Sequence, residues 1–200
     1  MGPVVNRTPH NSRLNVHLPI AAAGAICMLA FVLVWGGQKN PTDVQAAQSM
    51  ELRSPSFTNG SIPAQYTCDG SGVSPSFDWT GAPADTKSFA IIMHDPDAPR
   101  DYTHWVAYDI PANVHGIAEG AASGDTMPSG SVEGRNGSRK MGYQGPCPPA
   151  GDPHHYNFQL YALDTNLQLP AGATRQQVEA AMQSHIVATG KLVATYKRSE

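Results

Sequence analysis

The chain has 200 residues, a net charge of −3 at pH 7, and charged side chains at only 14% of positions. It holds no Lys/Arg cluster that could track a phosphate backbone, which argues against a nucleic-acid partner. Seventeen prolines and nineteen glycines argue for loops and turns and against a helix bundle.

Residues 1–17 are polar, carry Arg7 and Arg13, and are expected to form a cytoplasmic tail. Leu18–Gln38 has no charged residue, and Ile20–Trp35 is unbroken apolar or glycine. At about 1.5 Å rise per residue, roughly twenty residues cross a hydrocarbon core of about 30 Å. Residues 18–38 are therefore predicted to be a transmembrane or signal-anchor helix. The two preceding arginines place the N-terminus in the cytoplasm and the rest of the chain on the extracytoplasmic side. Cleavage after the small residues near Ala46 would instead export it, or leave it in a periplasm. Residues 39–49 read as a linker and 50–200 as one folded domain.

Within that domain, Met50–Arg53 reads as a short edge strand and Ser76–Trp79 as an alternating one. Ser88–Met93 is apolar on both faces and so belongs in the centre of a sheet. Thr103–Ile110 is its expected neighbour. Asn113–Gly142 is a long glycine- and serine-rich connection. Tyr156–Ala162 and Leu192–Tyr196 read as further strands. Thr174 and Gln177 make a capping-box pattern that opens a helix. Its buried face is expected to carry Val178, Ala181, Met182 and His185. Short strands, long loops and one late helix predict a mainly β, sandwich-like domain.

Two loops stand out. Residues 94–105 read H-D-P-D-A-P-R-D-Y-T-H-W, and residues 142–156 read G-Y-Q-G-P-C-P-P-A-G-D-P-H-H-Y. Each is stiffened by prolines, ends in histidine plus an aromatic, and lies at a strand end, where binding chemistry is usually placed. His104 and His154 can donate N–H to an anion, Tyr156 adds a phenol, and glycines near Pro146 allow close approach to the backbone. Asp95 can orient an imidazole, or accept from an ammonium or a protonated phosphate oxygen. A phosphoethanolamine-type head group would satisfy both signs.

D-P-D-A-P followed by T-H-W, then G-P-C-P-P with G-x-x-H-x-Y, resembles the phosphatidylethanolamine-binding protein family (PEBP). The likeness is greatest to its bacterial and archaeal, Raf-kinase-inhibitor-like branch, and it runs from Glu51 to Arg198. It implies an antiparallel β-sandwich with a C-terminal helix. It also implies a shallow pocket for phosphate-bearing or acidic groups, formed by Asp95, Asp97, Pro99, His104, Gly145, Pro148, Pro149, His154 and Tyr156. For some members it implies inhibition of a kinase or serine protease partner. Two departures stand out: His155 occupies a position usually held by Arg, and Ser138-Arg139 replaces a common Phe-Gly pair.

The expectation is thus a binding protein for a small anionic or phosphorylated ligand, with no cofactor, no metal and no catalytic role. The alternative is a hydrolase or metal-dependent enzyme built on His94, His104, His154, His155 and Asp95. Neither a G-x-S-x-G elbow nor an H-E-x-x-H or paired-cysteine motif supports it. If protonated His104 or His154 holds the anion, affinity should rise as pH falls through roughly 6.5. Cys68 and Cys147 are the cysteines outside the apolar segment. In an oxidising compartment they could form a bridge that pins the second loop, or remain two separate thiols.

Overall fold

The computed structural model describes residues 47–123 and 126–198, together with Gly2. The chain divides between Asp43 and Val44 into two units, and everything below concerns the second, Val44–Glu200. The apolar segment 18–38 lies outside the described residues. Among the described residues no helix is long and apolar enough to cross a membrane.

The unit is mainly β, with one α-helix. A six-stranded sheet has the order β1-β9-β8-β4-β5-β7, and a three-stranded sheet the order β2-β3-β6. The strands are β1 Gln48–Ser49, β2 Glu51–Arg53, β3 Phe77–Thr80, β4 Ser88–Asp95, β5 Tyr102–Pro111, β6 Gly116–Ile117, β7 Val132–Glu133, β8 His154–Leu163 and β9 Ile186–Tyr196. The helix α1, Arg175–Met182, precedes β9, so a strand follows the late helix. Pairing is antiparallel throughout except between β1 and β9, which run parallel. The sandwich is therefore not wholly antiparallel.

Strand β4 explains the arrangement. Its eight residues are all buried. Phe89, Ile91 and Met93 face the core between the two sheets, with Phe77 and Trp79 from β3, Trp105 from β5 and Phe158 from β8. Ala90 and Ile92 face the other way and pack with Val106, Tyr108, Val178 and Met182 under α1. A strand covered on both faces has no polar face, which is why its sequence does not alternate. Burying each large side chain contributes about 1.5–3 kcal/mol. The rings of Phe77 and Phe158 lie 5.0 Å apart, those of Phe57 and Phe158 5.4 Å.

Several predicted elements differ in extent. The capping box is present, with Thr174 and Gln177 each accepting from the other's backbone N–H. The helix ends at Met182, however, and its buried residues are Val178 and Met182. Ala181 is half-buried, while His185 lies past the helix and pairs with Asp164. The final strand starts at Ile186, six residues before the predicted Leu192. Gly190 interrupts the branched pattern there, because Met50 crosses it so closely that a Cβ would meet the Met50 carbonyl oxygen at 3.1 Å. The connection 113–142 contains the short strands β6 and β7, too brief to show periodicity.

Candidate functional site

The C-terminal end of β4 and the N-terminal ends of β5 and β8 come together at one edge of the sandwich. Asp95 closes β4, Tyr102 and His104 open β5, and His154 and Tyr156 open β8. Adjacent strand residues normally face opposite sides, so His104 should point away from its neighbour Trp105. A bulge prevents this. Pairing runs from Met93↔Trp105 to His94↔Thr103 and skips His104. The extra residue turns His104 to the face of Trp105. The His104 ring then meets Tyr156 edge-on at 5.3 Å, while Trp105 stacks on Phe77.

The polar groups at this end are tied together. Asp95, only 2% exposed, accepts at Oδ1 from the backbone N–H of Asp97 (2.9 Å) and Ala98 (3.0 Å). Its Oδ2 lies 2.7 Å from His154 Nδ1. A carboxylate cannot donate, so His154 carries a proton on Nδ1 and keeps Nε2 for another partner. His104 Nδ1 donates to the Gln144 carbonyl at 2.8 Å, which likewise leaves its Nε2 available. Burial lowers the pKa of His104, against the raising effect of the Gln144 carbonyl and the Asp95 charge. Tyr156 is fully buried, and its hydroxyl has no hydrogen-bond partner among the described residues. Burial and the nearby Asp95 carboxylate push its pKa up.

These side chains surround a cavity of about 210 Å³ lined by Asp95, Ala98, Pro99, Tyr102, His104, Gln144, Cys147, Pro148, Pro149 and His154. Six of the nine residues expected at the site line it. Tyr156 sits beneath, against His104. Asp97 points outward, where its Oδ2 accepts from His155 N (2.7 Å) and lies 2.8 Å from His155 Nδ1. These contacts hold the Asp97 carboxyl below its usual range. His155, one of the two departures noted in the sequence, is thus the bonding partner of Asp97. Gly145 is not among the residues lining the cavity, and it is packed so closely that a Cβ there would meet the Tyr66 carbonyl oxygen at 2.7 Å. Tyr102 and Gln144 also line the cavity and were missed, because neither carries a motif of its own. Tyr102 donates to Gln144 Oε1 at 3.0 Å, and Ser138 donates to the same atom at 2.8 Å. Arg139, the other departure, has φ 67°, a left-handed conformation in which glycine is unstrained.

The wall of the cavity is clamped from outside. Cys147 is bonded to Cys68, with Cα atoms 5.4 Å apart. Cys68 N donates to the Pro146 carbonyl (3.0 Å), and Tyr143 donates to the Tyr66 carbonyl (2.8 Å). Asp69, next to Cys68, accepts from Tyr196 and Arg198 at the end of the chain.

The groups gathered here are two imidazole Nε2 atoms, a carboxylate and a buried phenol. No serine or threonine lines the cavity, and its cysteine is in the disulfide. Among the described residues no three of His, Cys, Asp and Glu are grouped to hold a metal ion. His94 lies on the opposite face, bonded through Nδ1 to Asp101.

Comparison with known proteins agrees with this architecture. The family profile named Phosphatidylethanolamine-binding protein matches residues 53–197. A UPF0098 protein of Methanothermobacter thermautotrophicus is 46% identical over 151 residues, covering 74% of this chain and 99% of that protein. The crystal structure of YbcL from E. coli, described as a member of the mammalian PEBP family, superposes with a TM-score of 0.71 at 33% identity. It covers 75% of this chain and 99% of YbcL. The PEBP homologue CT736 of Chlamydia trachomatis gives 0.69 at 37% identity, over 76% of this chain and all of its own. A profile match across the folded unit, with solved relatives of the same fold, places this chain in the phosphatidylethanolamine-binding protein family.

Proposed function

We propose that this protein is a binding protein whose cavity at the Asp95–His154 pair holds a small phosphate-bearing group of the phosphoethanolamine kind. One observation carries the reading. Asp95, His154 and His104 line one cavity of about 210 Å³, and each imidazole spends its Nδ1 on the protein and keeps Nε2 for a ligand. A monoprotonated phosphate can donate to a neutral Nε2, or accept from a protonated one. An ammonium group can approach the Asp95 carboxylate. Pro99, Pro148 and Pro149 give the site walls that lose little freedom on binding. The pocket is then a recognition site rather than a catalytic one. A kinase or protease presenting an acidic or phosphorylated segment is the corresponding protein partner. Residues 18–38 hold the protein in the membrane with the cavity on the extracytoplasmic side.

The test is calorimetric titration with phosphoethanolamine. Either His104→Ala or His154→Ala should weaken binding by about 1.5–3 kcal/mol, the range for a hydrogen bond to a charged group. Unchanged affinity in both variants would sink the assignment.

A further inference from the structure

A second opening lies on the other face of the six-stranded sheet, where the loop after β4, the segment after β7 and the start of α1 meet. It is a cleft of about 400 Å³, and Arg100, Asp101, Thr103, Arg135, Arg175 and Glu179 are among its lining residues. Its charges do not cancel. Arg175 donates to Asp101 Oδ2 at 2.9 Å and to Glu179 Oε1 at 2.6 Å. The other Asp101 oxygen is bonded to His94. Burial works to raise the Asp101 carboxyl, but the bonds from His94 and Arg175 outweigh it and hold it low. Both acids are therefore committed to partners. Arg100 and Arg135 line the same cleft, and neither side chain has an ion pair or hydrogen bond among the described residues.

The backbone of Arg135 is tied to the segment that opens α1. Arg135 N donates to the Ala173 carbonyl at 3.0 Å, beside the cap residue Thr174, and its side chain lies against Gly172. Arg100 and Asp101 are consecutive non-glycine residues with φ of 65° and 50°. That conformation favours glycine, so local backbone preference does not explain an arginine at position 100.

We propose that this cleft is a second anion site, separate from the Asp95 cavity, that takes a phosphate group between Arg100 and Arg135. Two planar guanidinium forks with no counter-charge suit a dianion with several acceptor oxygens. The phosphate is either the free ion or a monoester. The two sites share one loop: Asp95 and Pro99 line the cavity, while Arg100 and Asp101 line the cleft.

The full-length chain in detergent micelles would be titrated calorimetrically with inorganic phosphate and, separately, with phenyl phosphate. A binding event should survive His154→Ala and weaken tenfold or more in both Arg135→Ala and Arg100→Gly. The thermal midpoint of Arg100→Gly should stay level or rise, because glycine suits the positive φ, so loss of binding there is not loss of fold. Phenyl phosphate binding at least as tightly as the free ion identifies a monoester, and preference for inorganic phosphate identifies the ion. The proposal is overturned if phosphate binding ignores both arginine variants, or if no event survives His154→Ala. Failure of the Asp95 cavity reading looks different: His154→Ala then leaves all phosphate binding intact.

Discussion

A buried carboxylate needs partners for both oxygens, and Asp95 has them in two loop amides and the imidazole of His154. His104 is buried too, but it leans on a neutral carbonyl, so burial lowers its pKa. The sign follows from linkage. The unfolded chain takes up this proton near pH 6.5 and the folded one only at lower pH. The stability His104 contributes is thus complete above about pH 6.5 and is lost as pH falls through the folded value. Wild-type protein should lose more thermal stability between pH 7 and pH 5.5 than His104→Gln does. Equal losses by differential scanning fluorimetry would remove this role. The same shift alters the binding expectation: any share of anion affinity that comes from protonated His104 should appear below pH 6.5, not around it.

At the scale of elements, the decisive piece is the loop 143–149, which has no strand of its own and is held by attachment to residues 66–68. The Cys68–Cys147 bridge spans a sequence separation of 79 residues. On the chain-entropy account such a closure contributes about 4.5 kcal/mol, by restricting the unfolded chain. The double variant Cys68→Ser/Cys147→Ser, which leaves no free thiol at either position, should lose stability of that order in urea unfolding. It should also bind phosphoethanolamine more weakly, because Pro148 and Pro149 lose their outer clamp. A loss below about 1 kcal/mol would show that the hydrogen bonds from Cys68 N and Tyr143 hold the loop without the bridge.

At the scale of the whole molecule, the 18–38 segment and the folded unit make separate claims. The described unit starts its pairing at Gln48, where β1 joins β9, and carries its own core between two sheets. Residues 47–200 alone should therefore fold and remain in the soluble fraction. The full-length chain, with the proposed anchor, should sediment with membranes and resist alkaline carbonate extraction. Full-length protein recovered entirely in the supernatant would count against the anchor and against the extracytoplasmic placement that depends on it.

The family, the central place of β4 and the proline stiffening of each of the two loops were legible in the sequence because each is carried by contiguous residues. D-P-D-A-P, G-P-C-P-P and the apolar run Phe89–Met93 depend on local sterics and burial. The capping box at Thr174 was legible for the same reason, since its partners lie three residues apart. Other features depend on segments far apart in the chain. The face that His104 presents depends on a bulge set by how β5 registers on β4, which period-2 alternation cannot foretell. Whether Cys68 reaches Cys147 depends on a Cα separation of 5.4 Å that the packing of two loops creates. The bond of Asp97 with His155 and the placing of Arg100 and Arg135 in one cleft are of the same kind. Chemistry written in neighbouring residues was determined by the sequence, whereas orientation and convergence were decided only when the sheets packed, because each needs a second strand or loop to define it.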